Sequence, residues 1–230
     1  MTTLDRLLVI WGEPTAGNRS IIGHLARVGG QFKFWYERDL AAARARGFAL
    51  LPEFPEHRDD THPYVERYLF PLFAERIPAL KRHDAKATIE AWGVERPDDQ
   101  FEVLARSGGI RATDQLEMAE YRAADDDLTT PLEFRIAGRR HIEGAERAEL
   151  AVGCPVSLRP DRANPKDPQA VIVDRDGKQA GYVPRQYTSL FGRLIDAGVA
   201  LQGEAVRQVL VPEDIGKWVV RVSRRSPPPR

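Results

Sequence analysis

The chain has 230 residues, with 34 Lys and Arg against 34 Asp and Glu, so no overall polyelectrolyte character points to a membrane surface or to nucleic acid. Its single cysteine, Cys154, excludes an intrachain disulfide and a cysteine-rich zinc site. No stretch reaches the apolar length of a membrane span, and the start M-T-T-L-D-R lacks the basic-then-apolar pattern of a secretory signal, so the reading is of a soluble, cytoplasmic protein. The charge balance conceals an asymmetry: residues 131–230 hold 17 basic against 12 acidic side chains, net +5, which leaves 17 against 22, net −5, for residues 1–130. A basic carboxyl-terminal half suits an anionic ligand.

In chain order, residues 7–11, 20–25 and 31–36 read as strands, the last two joined around Gly29-Gly30. Phe32, Phe34 and Tyr36 alternate with Lys33 and Trp35, which predicts one buried sheet face. Residues 38–46 suit a short helix and 48–52 an extended segment. Helical stretches are predicted over 63–76, 77–92 and 97–106, the last begun at Asp98-Asp99 and stopped by Gly108-Gly109. The residues Ile22-Gly23-His24-Leu25, the F-x-F-x-Y strand, Leu69-Phe70-Pro71-Leu72-Phe73, and Phe101 to Ala105 ahead of the two glycines carry a resemblance. Over residues 5–120 the chain resembles the N-terminal subdomain of HipA-type kinases. That subdomain packs on the kinase near the antitoxin, which implies a protein-docking role here, with a separately encoded HipA-like kinase or a helicase as partner. No Gly-rich phosphate loop or kinase catalytic loop is present, so kinase activity is not carried over.

The acidic run A-A-D-D-D-L-T-T, residues 123–130, is the expected linker between domains at 1–122 and 131–224; residues 225–230 are a proline-rich tail expected to be disordered. Beyond the linker, Asn164-Pro165-Lys166-Asp167-Pro168 is a turn, because Asn and Asp bond their own backbone and the prolines preset φ. Apolar runs at 156–158 and 170–173 flank it, and Asp176-Gly177 offers a tight hairpin into 179–183. Read from these signals alone, the segment is a β-meander with a well-made loop. The spacing R-x-x-x-x-N-P-x-D-x-x-A-V-x-V followed by G-x-x-x-G-Y-V-P-R resembles the HIRAN domain, found alone in bacteria and fused to chromatin-remodelling helicases in eukaryotes. F-R-I-A-G-R-R-H, residues 134–141, takes the place of that family's first strand and Gly-x-Arg-aromatic turn, and residues 187–198 that of its helix. The likeness covers residues 131–224. It implies an α+β protein: a small β-sheet with helices, then a small OB-like β-barrel with one helix.

The family resemblance also implies a ligand, the 3′ end of single-stranded DNA, held by the turn and the N-P-x-D loop. Carried over by position, Arg140 contacts a phosphate, His141 takes the aromatic's place against a base, and Asn164 and Asp167 line the end pocket. Lys166 stands where animal members carry an aromatic, which exchanges a stacking surface for a phosphate contact. Arg139, Arg159, Arg162 and Tyr182 complete the candidate set. Arg140 also reads as a solvated strand-end charge, and Asn164 as the cap of its own turn.

Elsewhere, His57 and His62 flank Asp59-Asp60 at a spacing that matches no zinc signature. His24 and His83 need no function, and Trp11, Trp35, Trp92 and Trp218 read as core anchors. Neither Gly-x-Ser-x-Gly, His-Glu-x-x-His nor a clustered carboxylate set occurs, so the expectation is a non-catalytic adaptor without metal or cofactor. The alternative is a protein-interaction module of a toxin–antitoxin or defence system without DNA binding. Convergence of Arg139, Arg140, Arg159, Arg162 and Lys166 on one groove favours the adaptor. Pairing of these side chains with Glu143, Glu146 or Asp161 favours the alternative.

Overall fold

The computed structural model describes residues 4–14, 18–79, 85–209 and 217–225. The chain divides into two units, Met1–Tyr121 and Arg122–Arg230. In the first, alternating apolar side chains build β1 (Arg6–Gly12), β2 (Arg19–Val28) and β3 (Gln31–Tyr36). Gly29 and Gly30, at φ of 60° and 77°, turn β2 into β3, a left-handed backbone that a side chain would strain. A short strand β4 (Tyr64–Glu66) and β5 (Leu116–Glu120) extend the antiparallel sheet to the order β4-β3-β2-β1-β5. Helices α1 (Ala41–Ala45), α2 (Pro71–Ala74), α3 (Ala85–Ala91) and α4 (Gln100–Ser107) complete the unit.

One face of this sheet carries Leu7, Val9, Leu25, Phe34 and Tyr36 into a core shared with Phe54, Phe73, Phe101 and Leu104. The Phe34 and Phe54 rings stack with centroids 4.2 Å apart. Tyr36 is wholly buried, and its hydroxyl donates to the Phe54 carbonyl and accepts from the Leu51 amide, both at 2.8 Å. Burial pushes this phenol up to about 12. His24 is also buried on β2, held between Glu37, at 2.5 Å from Nε2, and Arg6, whose Nε donates to Nδ1 at 3.3 Å. Helix α4 is capped by the Asp99 carboxylate, which accepts from the Phe101 and Glu102 amides, and ends on Gly108 at φ 72°.

Three of the predicted elements differ. Residues 63–76 form β4 and the single turn α2 instead of a helix, because Tyr64 pairs across from Phe34 and Pro71, which has no N–H to donate, opens α2 at its first position. In the stretch 77–92 the described helix is α3, and residues 80–84 with His83 lie outside the described residues. Residues 48–52 form no strand, since the Leu51 amide is bound by the Tyr36 hydroxyl and not by a neighbouring strand. Of the tryptophans, Trp218 is buried, Trp11 and Trp92 pack at the margins of apolar clusters, and Trp35 stacks on His24.

The second unit is one sheet with one long helix. Strands β6 (Leu132–Arg135), β7 (Pro155–Pro160), β8 (Val171–Arg175), β9 (Lys178–Tyr182), β10 (Leu201–Val209) and β11 (Lys217–Arg224) lie in the order β6-β11-β10-β7-β8-β9. The hairpin β8–β9 turns on Asp176 and Gly177, at φ of 53° and 81°. The sheet curls until its edges meet: Ala137, just past β6, forms an antiparallel bridge with Tyr182 on β9, each amide donating to the other's carbonyl at 2.8 Å. Helix α5 (Arg185–Asp196) buries Leu190, Phe191 and Leu194, with Phe191 edge-on to Phe134 at 5.5 Å.

The acidic segment 123–130 packs within this unit. Leu128 is fully buried, Arg193 of α5 donates to the carbonyls of Ala124 and Asp126, and Arg122 donates to those of Thr130 and Pro131. Cys154 is buried and forms no disulfide. The tail 226–230 lies outside the described residues, and among those described no helix is long and apolar enough to cross a membrane.

Candidate nucleic-acid interface

The seam of the curled sheet brings the two predicted half-sites together. Gly138 follows the bridging Ala137 and takes φ 70°, so the chain folds back into a short 3₁₀ turn at Arg139–His141. That left-handed φ favours glycine, and a Cβ there would also crowd the Tyr182 ring at 3.2 Å from Cδ2. The Gly-x-Arg turn therefore rests on the Tyr182 ring. At the tip of the ring, the Tyr182 hydroxyl donates to Asp161 Oδ2 at 3.1 Å, and Asn164 Nδ2 donates to the same oxygen at 3.1 Å and to the Tyr182 oxygen at 3.3 Å. Tyr182 thus joins the turn to the N-P-x-D loop.

The loop is closed from within. Asn164 Oδ1 accepts from the amides of Lys166 and Asp167 at 3.0 and 3.2 Å, an Asx turn that leaves the Lys166 side chain exposed. Asp167 Oδ1 accepts from the Gln169 amide, and its carbonyl from the Ala170 amide, which returns the chain to β8. Arg140 and His141 are both exposed on the turn, Arg140 Nε donating to His141 Nε2 at 3.2 Å. Arg159 on β7 stands opposite Ile172, which stands opposite Tyr182, so all three share one face, with Arg159 and Tyr182 two strand spacings, roughly 10 Å, apart. Its guanidinium, half exposed, holds Asp174 at 3.2 Å.

Two predicted contacts lie elsewhere. Arg139 is 8% exposed and points inward, donating to the carbonyls of Ala180 at 3.2 Å and Ala148 at 2.9 Å. Desolvation, with Arg147 nearby, lowers its pKa. This side chain braces the turn from within, joining it to β9 at Ala180 and to the segment at Ala148. Arg162 reaches to Asp196 at the end of α5, at 2.6 Å. Tyr182 thus stands between the turn that carries the exposed Arg140 and His141 and the loop that carries Asn164, Lys166 and Asp167, with Arg159 on the same sheet face as Tyr182. Asp161, the hub of the polar network, was no candidate ligand residue; the D-x-x-N spacing ahead of the loop is its only sequence signal.

In the first unit, Arg38, His57, Arg58, Asp59 and His62 line an open cavity of about 580 Å³. Among the described residues no group of three His, Cys, Asp or Glu side chains is placed to hold a metal ion.

A small curled sheet with one helix and a polar loop–turn face is the form of a small barrel-like binding domain. Residues 131–220 match the family model of the HIRAN domain, and that stretch of the chain is a HIRAN domain. Two solved structures are similar. The HIRAN domain of human HLTF is 18% identical with a TM-score of 0.34, over 41% of this chain and 74% of that one. A protein from Lactobacillus plantarum is 21% identical with a TM-score of 0.32, over 40% of this chain and 92% of that one. No curated protein matches the sequence.

Proposed function

We propose that the chain is a non-catalytic adaptor: its HIRAN domain holds single-stranded DNA, at a 3′ end, against the face built on Tyr182, and its first unit docks a protein partner. The observation that carries the reading is the Ala137–Tyr182 bridge, which brings Gly138 of the Gly-x-Arg turn against the Tyr182 ring, whose hydroxyl is bonded to Asp161 and Asn164 at the N-P-x-D loop. An aromatic ring between a turn and a loop that expose Arg140 and Lys166 suits a base and its neighbouring phosphates. The Asp167 carboxylate suits a terminal hydroxyl, since it accepts a bond from a sugar OH and repels a terminal phosphate. The docking partner consistent with the HipA-like sequence pattern of the first unit is a separately encoded HipA-like kinase or a helicase.

Fluorescence anisotropy tests the reading with labelled single strands ending in 3′-OH or 3′-phosphate, and with a duplex, across a salt series. The 3′-OH strand is expected to bind tightest, and Asp167→Ala to remove its advantage over the 3′-phosphate strand. Equal binding of all three that merely declines with salt would leave a nonspecific basic surface.

A second reading has one observation in its favour. Three of the five basic side chains first considered are bonded to other groups of the chain, Arg139 to buried carbonyls, Arg159 to Asp174 and Arg162 to Asp196 at the surface. A domain that kept the fold and lost the ligand would look the same, and would serve only as a protein-interaction module of a toxin–antitoxin or defence system. Absence of strand binding at low salt selects it.

A further inference from the structure

Position alone gives Asn164 a place against the ligand, yet its amide is spent within the protein. Nδ2 donates to Asp161 Oδ2 and to the Tyr182 oxygen, while Oδ1 accepts the Lys166 and Asp167 amides. A side-chain amide has two donor hydrogens and one acceptor oxygen, so no N–H is left to address a strand end. The bonds of this loop converge on Asp161. Its Oδ2 accepts from both Asn164 and Tyr182, and its backbone amide donates to the Ala170 carbonyl at 2.8 Å where the loop re-enters the sheet. A single carboxylate oxygen thereby fixes the Tyr182 hydroxyl and the residue that shapes the 164–167 turn.

We propose that Asp161 is the positioning residue of this interface. It holds the Tyr182 ring and the Asn164 turn in register, so that Asp167 and Lys166 meet the strand end at a set distance from the ring. Asn164 is likewise a positioning residue and not a ligand contact. The role belongs to Asp161 as a hydrogen-bond acceptor, not as a negative charge, and an asparagine at this position keeps it, because its carbonyl oxygen accepts the same two bonds. This inference rests on the strand-binding function proposed above.

The test uses the full chain with Asp161→Asn, Asp161→Ala and Tyr182→Phe. Three quantities are read: the ratio of affinities for 3′-OH and 3′-phosphate strands, the hydrogen-exchange protection of the Lys166 and Asp167 amides, and the thermal midpoint as a control for folding. Asp161→Ala and Tyr182→Phe are expected to lower the ratio roughly 3- to 10-fold, the worth of one or two such bonds, and to expose both amides. Asp161→Asn is expected to hold the ratio within about twofold, since its bonds persist. Asp161→Ala with an unchanged ratio overturns the proposal, as does Asp161→Asn falling as far as Asp161→Ala, which would make charge the operative property. If the unaltered chain binds neither strand, the strand-binding function fails and the ligand role of Asp161 with it. Exchange at Lys166 and Asp167 then still decides whether Asp161 holds the loop: loss of protection in Asp161→Ala but not in Asp161→Asn keeps that part, and equal protection in all variants sinks it.

Discussion

Adjacent arginines in the R-R-H turn have opposite fates. Arg139 turns inward onto two carbonyls, and Arg140 stands exposed beside His141. Arg139→Ala should leave the Ala148 and Ala180 carbonyls without their donor and lower the stability of the second unit by about 1–3 kcal/mol, read from the urea midpoint. Arg140→Ala should leave that midpoint in place. If the proposed function holds, it should weaken binding to all strands alike and reduce the salt slope by about one phosphate's worth. Gly181 is a third case. At φ 148° its added Cβ would stand 2.6 Å from the Ala137 carbonyl oxygen and 2.2 Å from Ile136 Cγ2, so Gly181→Ala cannot keep the bridge beside it. A loss of about 2–4 kcal/mol is expected.

At the scale of elements, β3 is the strand on which the first unit depends, and Tyr36 is its most constrained side chain. The unfolded phenol ionises near 10 while the folded one holds its proton until about 12. Its contribution to stability is therefore whole below 10 and declines as the pH rises through 12, because the unfolded state then releases the proton more readily. Tyr36→Phe should be less stable at neutral pH and lose less between 10 and 12, a difference that denaturant titrations at the two pH values would measure. The strands β1, β2, β3, β7, β8 and β9 were all legible in the sequence, because each couples an alternating or apolar run to a turn residue such as Gly29-Gly30 or Asp176-Gly177. The cap and stop of α4 were legible for the same reason. Strands β4, β5, β10 and β11 escaped notice. β4 is three residues long, and β10 reads L-Q-G-E-A-V-R-Q-V, whose alternation is broken by a register shift between Ala205 and Arg207. Within the candidate site, the loop could be read from local chemistry, and the turn only from the family resemblance. Their meeting on Tyr182 could not, since Ala137 and Tyr182 are joined only by the closure of the sheet.

At the scale of the whole chain, the two units carry opposite charge, and each has buried apolar side chains of its own. The adaptor proposal assigns the ligands separately: residues 122–230 alone should bind a 3′-OH strand within about threefold of the full chain, which anisotropy on the truncated protein would test, while capture of a protein partner should require residues 1–121. A truncated protein that folds but binds tenfold more weakly would show that the first unit contributes to the strand site.

The closure of the second unit also supplies a reporter. The junction between the sheet's edges rests on two backbone hydrogen bonds, those of Ala137 and Tyr182, whereas β10 and β11 run together along eight paired positions. Such a short junction parts at a lower free energy than the long β10–β11 ladder, so the amide protons of Ala137 and Tyr182 should exchange ahead of those that pair β10 with β11. A molecule that spans the turn and the loop would clasp this seam from outside and slow both amides, making this short junction a gauge of occupancy that needs no label on the ligand.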